Sequence, residues 1–425
     1  MITNSAALND GVKPREVWAW AGYDFANSGY TTVVLTAVFN AYFVGVVASS
    51  LEYPTFLWTS AISISSALVF LLQPMMGAYA DRHAAKKTLL AWSTVLCVAS
   101  TALLSLAGPG RILIAIIALV VSNFFFQAGV ALNSAFLPEL ARPSAYGRVS
   151  GFGWSVGYLG GLLSLGICLV YVLFAQERGL ASRDYVPVTM WIVAVTYALA
   201  ATPMFLFVRE RALPAGKADE PGAWQQFRDC FRLLPAFPDF RRLLYCGLFY
   251  QAGINVVVTL AAIYAQEVMG FKDTDNMLLI LVVNITAAVG AFCFGHVQDR
   301  LGHRSTLAIT LLGWVFMVLI AANTTSVAAF WFVANIAGLC MGSSQSAGRT
   351  LVGWLAPESQ RTAFYGLWNA ALGVSAIIGP PTYGLVTWLA DNNHRLAILI
   401  SGIYFVLGLV ILFRIDLQQG RKLAV

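Results

Sequence analysis

Gly77-Ala-Tyr-Ala-Asp81-Arg82-His-Ala-Ala-Lys86-Lys87 and Gly295-His-Val-Gln-Asp299-Arg300-Leu-Gly302-His-Arg304 share one pattern, 218 residues apart. In both, Asp-Arg stands four residues after a glycine, and a basic residue comes a few places later. Both close a long apolar run, the second and the eighth counted from the N-terminus. Two weaker matches keep the same order. Leu137-Pro138-Glu139 ends the fourth run, and Ala356-Pro357-Glu358 follows the tenth, 219 residues on. Tyr23-Asp24 in the first run answers Tyr250-Gln251 in the seventh. Such a parallel repeat is built as two like halves with a binding site between them.

Composition sets the medium. The chain has 425 residues, 59% hydrophobic and 11% charged. A soluble chain is nearer ~25% charged, so there is too little charge here to cover soluble domains. A disordered chain, a disulfide scaffold and an ordinary cytosolic enzyme are excluded. At ~20 residues per bilayer crossing, the apolar residues suffice for roughly twelve crossings. The predicted fold is all-α and integral to the membrane, with twelve spans in two pseudo-symmetric six-helix bundles.

The spans are read near 17–47, 58–80, 88–107, 111–138, 148–174 and 187–208, then 241–269, 276–297, 305–322, 326–353, 362–390 and 394–414. Residues 1–208 form the first bundle and 241–425 the second. Between them, 209–240 reads as a hydrophilic linker containing Leu213-Pro214-Ala215-Gly216-Lys217, Pro221-Gly222 and a short amphipathic helix, 223–234. With the N-terminus inside, only Arg111, Arg178, Arg183, Lys272 and Arg395 of the 26 Lys and Arg fall outside. That asymmetry places both termini and the linker in the cytoplasm. The polar residues 1–16 lack the apolar core of a cleaved signal, so the first span is expected to act as the targeting signal. The excess of basic residues, net charge +6, is then loop anchoring, and no nucleic-acid partner is expected. The six cysteines form no CxxC and read as small apolar side chains.

The two Gly-x-x-x-Asp-Arg stretches resemble the loop motif of the major facilitator superfamily. A narrower resemblance is to the autophagy-related vacuolar amino-acid effluxers and their bacterial relatives. It rests on Tyr23-Asp24-Phe25-Ala26-Asn27-Ser28-Gly29-Tyr30, on Asn133-Ser-Ala-Phe-Leu-Pro138-Glu139, on Ser150-Gly-Phe-Gly-Trp154-Ser-Val-Gly157-Tyr158-Leu-Gly160-Gly161 and on Gln345-x-x-x-Arg349. It departs at Phe25, where the family usually has Trp, and at Gly373, where it often has a lysine. The resemblance implies spans one, four, seven and ten around a cavity, and export of an amino acid or short peptide by proton exchange. Import of another small nutrient by proton symport is the alternative within transport. An embedded enzyme or a non-transporting receptor is the alternative outside it.

The candidate residues are chosen by cost. A carboxylate inside a bilayer is expensive and should face a cavity or a partner. Asp24 lies in the first span, with Asn27, Ser28 and Thr31 at i+3, i+4 and i+7 on one face. Tyr23 adjoins it. Asn123 and Gln127 in span four, Gln251 and Asn255 in span seven and Gln345 in span ten complete the set expected to meet substrate or couple its movement. The gating set is Asp81, Arg82, Asp299, Arg300, Glu139 and Arg349. Asp81 and Asp299 are placed to cap a helix or pair with an arginine. Glu139 and Glu358 are expected against Arg82 or Arg300, and Arg349 is expected to snorkel to the interface. Gly153, Gly157 and Gly161 form a close-packing face in span five. There is no Walker A, HExxH or GxSxG, and His83, His296, His303 and His394 are scattered. No catalytic residue, metal or cofactor is predicted. The expected partners are a small-molecule solute, the lipid bilayer and protons. The chain is expected to work as a monomer in a bacterial inner membrane.

Overall fold

A computed structural model describes residues 7–212 and 223–424. Twelve helices in these residues are long and apolar enough to cross a bilayer. They are, as first to twelfth span, Pro14–Val47, Pro54–His83, Lys86–Leu106, Ile112–Leu140, Pro143–Glu177, Ser182–Phe207, Pro238–Ala261, Leu278–Leu301, His303–Asn323, Val327–Leu355, Glu358–Leu389 and His394–Phe413. Several begin with a proline in the first turn, where its missing N–H costs nothing, as at Pro14, Pro54 and Pro238. Among the described residues there is no β-strand, and one isolated bridge joins Leu8 to Ala141. The expected stretches Leu213–Lys217 and Pro221-Gly222 lie outside the described residues. The linker helix is present over Ala223–Leu233 and packs on the second span, with the Phe231 ring 5.8 Å from Phe70.

Two apolar cores form. One gathers Trp20, Tyr23, Tyr30, Phe39 and Phe43 with residues of the second to sixth spans. The other gathers Tyr250, Tyr264, Trp314 and Phe405 with residues of the later spans, and Trp314 stacks on Phe405 at 5.0 Å. Leu113, Val170, Leu199, Phe332 and Trp388 are exposed on the outside. In water such a belt would be a liability, whereas in lipid it is the solvated surface. The halves meet where the second span packs on the eleventh and the fifth packs on the eighth and tenth.

The first span is irregular. It is α-helical over Pro14–Tyr30, then runs through wide π turns at Thr31–Ala37 and Phe43–Val47 around a short α segment, Phe39–Tyr42. The expected glycine face of the fifth span packs against it. A Cβ on Gly153 would stand 2.6 Å from an Asp24 carboxylate oxygen, and one on Gly157 would stand 3.0 Å from Ser28 Oγ. Of the cysteines, Cys97, Cys168, Cys246 and Cys340 are buried as expected, whereas Cys293 is exposed on the eighth span.

Candidate substrate cavity and gates

A cavity of about 580 Å³ lies between the halves. The first half contributes Ser28, Thr31, Thr32, Asn123, Gln127, Trp154 and Tyr158. The second contributes Gln251, Asn255, Gln345, Arg349, Trp368 and Asn369, with an apolar wall that includes Leu279, Val283, Met317, Phe330 and Met341. Apolar walls with a few convergent polar groups are the usual make-up of a small-molecule site. Among the lining residues Arg349 is the one charged side chain. Gly373 faces open space, so the cation the resembled family often carries there has no counterpart at that position.

The floor of the cavity is an ion pair between the halves. Arg349 Nη1 donates to Asp24 Oδ2 at 2.6 Å, and Asn133 Nδ2 donates to Asp24 Oδ1 at 3.0 Å. Both charged side chains are more than nine-tenths buried. The guanidinium also lies 5.1 Å from the Trp20 ring and 4.9 Å from the Trp154 ring. Opposite charges at contact, flanked by aromatic faces, neutralise each other where neither could stay alone. The expectation that Arg349 snorkels is therefore corrected. It is buried because Asp24, 325 residues away in sequence, supplies its counter-charge.

Amide side chains continue this floor. Gln345 Nε2 donates to Gln251 Oε1 at 3.2 Å, Gln251 Nε2 to Asn255 Oδ1 at 3.3 Å, and Asn255 Nδ2 to Ser375 Oγ at 3.0 Å. On the other side, Asn369 Nδ2 donates to Gln73 Oε1 at 2.9 Å and to the Gln127 carbonyl at 3.1 Å, joining the eleventh span to the second and fourth.

The expected stripe of the first span divides. Ser28 and Thr31 line the cavity. Tyr23 and Asn27 turn into the first half instead. Tyr23 Oη pairs with Thr94 Oγ1 at 2.9 Å, and Tyr197 Oη donates to Asn27 Oδ1 at 2.7 Å. Their placement beside substrate is corrected on this geometry. Asn123 lines the cavity with its Oδ1 unpartnered.

Two carboxylate contacts join the halves on the face that bears the chain termini. Asp81 Oδ1 and Oδ2 accept the backbone N–H of Thr362 at 3.1 Å and of Ala363 at 2.9 Å, at the start of the eleventh span. Asp299 Oδ1 accepts Gly147 N–H at 2.8 Å, and its Oδ2 accepts Arg148 N–H at 3.2 Å and Arg148 Nε at 2.7 Å, at the start of the fifth. Each carboxylate meets the positive end of a helix in the opposite half. The close approach needs the motif glycines. A Cβ on Gly77 would stand 2.6 Å from Ala363 Cα, and one on Gly295 would stand 2.6 Å from the Gly147 carbonyl.

The other residues expected at a gate fall elsewhere. Glu139 pairs with Lys86, not Arg82 or Arg300, and accepts Arg211 N–H at 2.7 Å. The third span begins beside it, so the pair ties the first half and the start of the linker together. Glu358 pairs with Arg361 at 2.8 Å. Arg82 keeps a buried Nη1 without a hydrogen bond, and Arg300 is exposed. Sequence reasoning named Asn133 only within a motif of the resemblance, and did not single out Gln73, Asn369 or Arg148. An amide inside an apolar span was the available signal for Gln73 and Asn369. Among the described residues no cluster of three His, Cys, Asp or Glu side chains is assembled.

Twelve spans in two halves with a cavity on the axis between them are the build of a transporter of the major facilitator type, not an enzyme. The fold is shared with solved members. The human organic anion transporter MFSD10 superposes with a TM-score of 0.76 at 15% identity, over 94% of this chain and 99% of that one. The proton:xylose symporter XylE gives 0.75 at 16%, over 94% and 95%. In sequence, the MFS-type transporter YxiO of Bacillus subtilis strain 168 is 24% identical over 402 residues, 93% of each chain. Autophagy-related protein 22-1 of Neosartorya fischeri is 21% identical over 302 residues, 65% of this chain and 49% of that protein. This chain thus spans about half the length of its fungal relative. The profile of the family described as "Vacuole effluxer Atg22 like" matches residues 55–425, and the chain belongs to that family.

Proposed function

We propose that this transporter carries a small polar solute, an amino acid or short peptide, by alternating access and coupled to protons. The observation that carries the reading is the cavity floor. A cavity of about 580 Å³ presents one guanidinium, held by one carboxylate of the other half. Such a site suits a solute with a small charged group and a modest apolar body. The halves, 1–208 and 241–425, rock about the linker 209–240. The chain sits in a bacterial inner membrane as a monomer with its termini in the cytoplasm, so the cavity addresses the outside.

The test is uptake of a labelled panel of amino acids and short peptides into proteoliposomes, with and without a pH gradient. Accumulation of at least one of them only with the gradient is expected, and lost in Asp24→Asn. Retained gradient-driven accumulation in well-folded Asp24→Asn protein would leave Asp24 a packing residue. No uptake of any panel member sinks the substrate reading. For the orientation, a cysteine introduced at position 52 or 272 should react with an impermeant reagent from outside, and one at 217 should not.

A further inference from the structure

The repeat relates two helix starts that are finished differently. Lys86 and Lys87, which open the third span, recur 218 residues on as Arg304 and Ser305 in the first turn of the ninth. In the first half a carboxylate lies on that turn. Glu210, three residues past the end of the sixth span, accepts Lys86 N–H at 2.8 Å and Lys87 N–H at 3.0 Å. The matching acid of the second half is Asp416, three residues past the end of the twelfth span. Its Oδ1 turns instead to Gln418 N–H at 2.9 Å and Gln419 N–H at 3.0 Å, where the C-terminal helix Leu417–Ala424 begins. Among the described residues no acceptor meets the N–H of Arg304 or of Ser305.

An open groove of about 650 Å³ lies at that turn. Arg304 and Ser305 line it from the ninth span, Phe413 and Arg414 from the end of the twelfth, and Asp416 and Gln418 from beyond it. Two arginines against one carboxylate leave the groove positive, and the start of a 21-residue helix adds to that charge. The Arg304 guanidinium is held in place. Its Nη1 donates to the Ile415 carbonyl at 3.1 Å, and it lies 5.5 Å from the Phe413 ring. Its remaining N–H groups match the oxygens of a phosphate. A smaller recess of about 270 Å³ shares Leu417 and Gln418 with the groove. His303 and Gln298 line that recess, both more than nine-tenths buried, with His303 Nδ1 and Gln298 Nε2 unpartnered. Phe413 and Leu301, at the ends of their spans, are exposed apolar side chains.

We infer that this turn holds the headgroup of an anionic phospholipid. The phosphate takes the place that the Glu210 carboxylate takes in the first half, on the N–H groups of Arg304 and Ser305 and on the Arg304 guanidinium, with Arg414 at the rim. The headgroup's hydroxyls meet His303 Nδ1 and Gln298 Nε2, and the acyl chains leave past Phe413. Place favours a lipid over a soluble anion. The groove lies where two spans end, and one of its walls is an exposed phenyl ring. The site is separate from the central cavity and is independent of which solute is carried.

The experiment is titration calorimetry of the full-length protein in detergent with short-chain lipids kept below their micelle concentration. Dihexanoyl-phosphatidylglycerol should bind saturably and about tenfold tighter than dihexanoyl-phosphatidylcholine, whose ammonium would face the same arginines, and about tenfold tighter than inorganic phosphate. In Arg304→Gln the preference for phosphatidylglycerol should disappear. That change also removes the bond to Ile415, so Ser305→Asp is the second variant. It keeps Arg304 and puts a carboxylate on the turn, as Glu210 does in the first half. It should unfold no earlier than the unmodified protein and should bind phosphatidylglycerol about tenfold more weakly. Equal binding of the two lipids by the unmodified protein overturns the inference. So does a preference for phosphatidylglycerol that survives undiminished in Ser305→Asp. Inorganic phosphate that binds as tightly as phosphatidylglycerol overturns it as well, because the turn would then serve a soluble anion.

Discussion

The two copies of the Gly-x-x-x-Asp contact, at Asp81 and Asp299, use the same backbone arrangement and different side chains. In each, a carboxylate at the end of one span caps the first turn of a span in the other half, and a glycine four residues earlier admits the partner backbone. The copies differ in what surrounds the cap. Asp299 adds the Arg148 guanidinium at 2.7 Å. Asp81 receives backbone N–H groups, and the arginine near its partner helix, Arg361, is spent on Glu358. The amide bridge of Gln73, Gln127 and Asn369 lies on the Asp81 side. A repeat keeps what the backbone must do: both copies cap a helix with a carboxylate, and one copy adds a side-chain cation.

The strongest way to break the comparison is steric. Gly77→Val and Gly295→Val both place atoms where backbone already stands, at a cost of about 1–3 kcal/mol each, about 5–150-fold in the closed population. Spin-label distances between the second–third and tenth–eleventh loops should lengthen in both variants. Equal lengthening confirms that the glycines serve the shared part of the gate. Next, Asp299→Asn should open the face more than Asp81→Asn, because it also strands Arg148. Losing a hydrogen bond to a charged group costs about 1.5–3 kcal/mol, and the Asp81 change should sit at or below the low end. A larger effect at Asp81 would reverse the assignment of charge to one gate and backbone to the other.

A smaller effect is expected from Arg148→Gln. The arginine is 30% exposed, so screening limits its pair with Asp299 to about 0.2–1 kcal/mol. The variant should bring the Asp299 gate down to the Asp81 gate, and raised salt should do the same to the unmodified protein. The smallest effect lies in the loops. Ala84 and Gly302 occupy corresponding positions, both with positive φ, 48° and 88°. Ala84→Gly should relieve up to ~1 kcal/mol of left-handed strain, largely offset by the entropy of glycine, and leave transport unchanged. Thermal unfolding watched by tryptophan fluorescence reads the stability, and proteoliposome uptake reads the transport.

The spans, and the two aspartates that meet the opposite half, were legible because each is marked locally, by a run of apolar residues or a repeated pattern. The partners were not. Which way Asn27 or Tyr23 turns depends on the rotation of the first span against the third and sixth, and no residue of the first span encodes that. Arg349 looked interfacial because its counter-charge lies in the other half of the chain. Glu139 was matched to the wrong cation because the third span, which brings Lys86 to it, contributes its place in space and no signal in sequence. Within span five the glycine spacing did identify the packing face, since a missing side chain is visible in sequence when a missing neighbour is not.

The wide turns of the first span carry one more consequence. A π turn holds one residue more than an α turn, and each residue removed from a helix rotates the remainder of that helix by about 100°. Thr31, Thr32, Leu35 and Thr36 lie in the first of these turns and on the cavity wall. Their aim is therefore set by how many residues the span contains and not by which residues they are. Among relatives, this wall would be re-aimed most simply by gaining or losing a single residue, a change in register that a list of substitutions would never reveal.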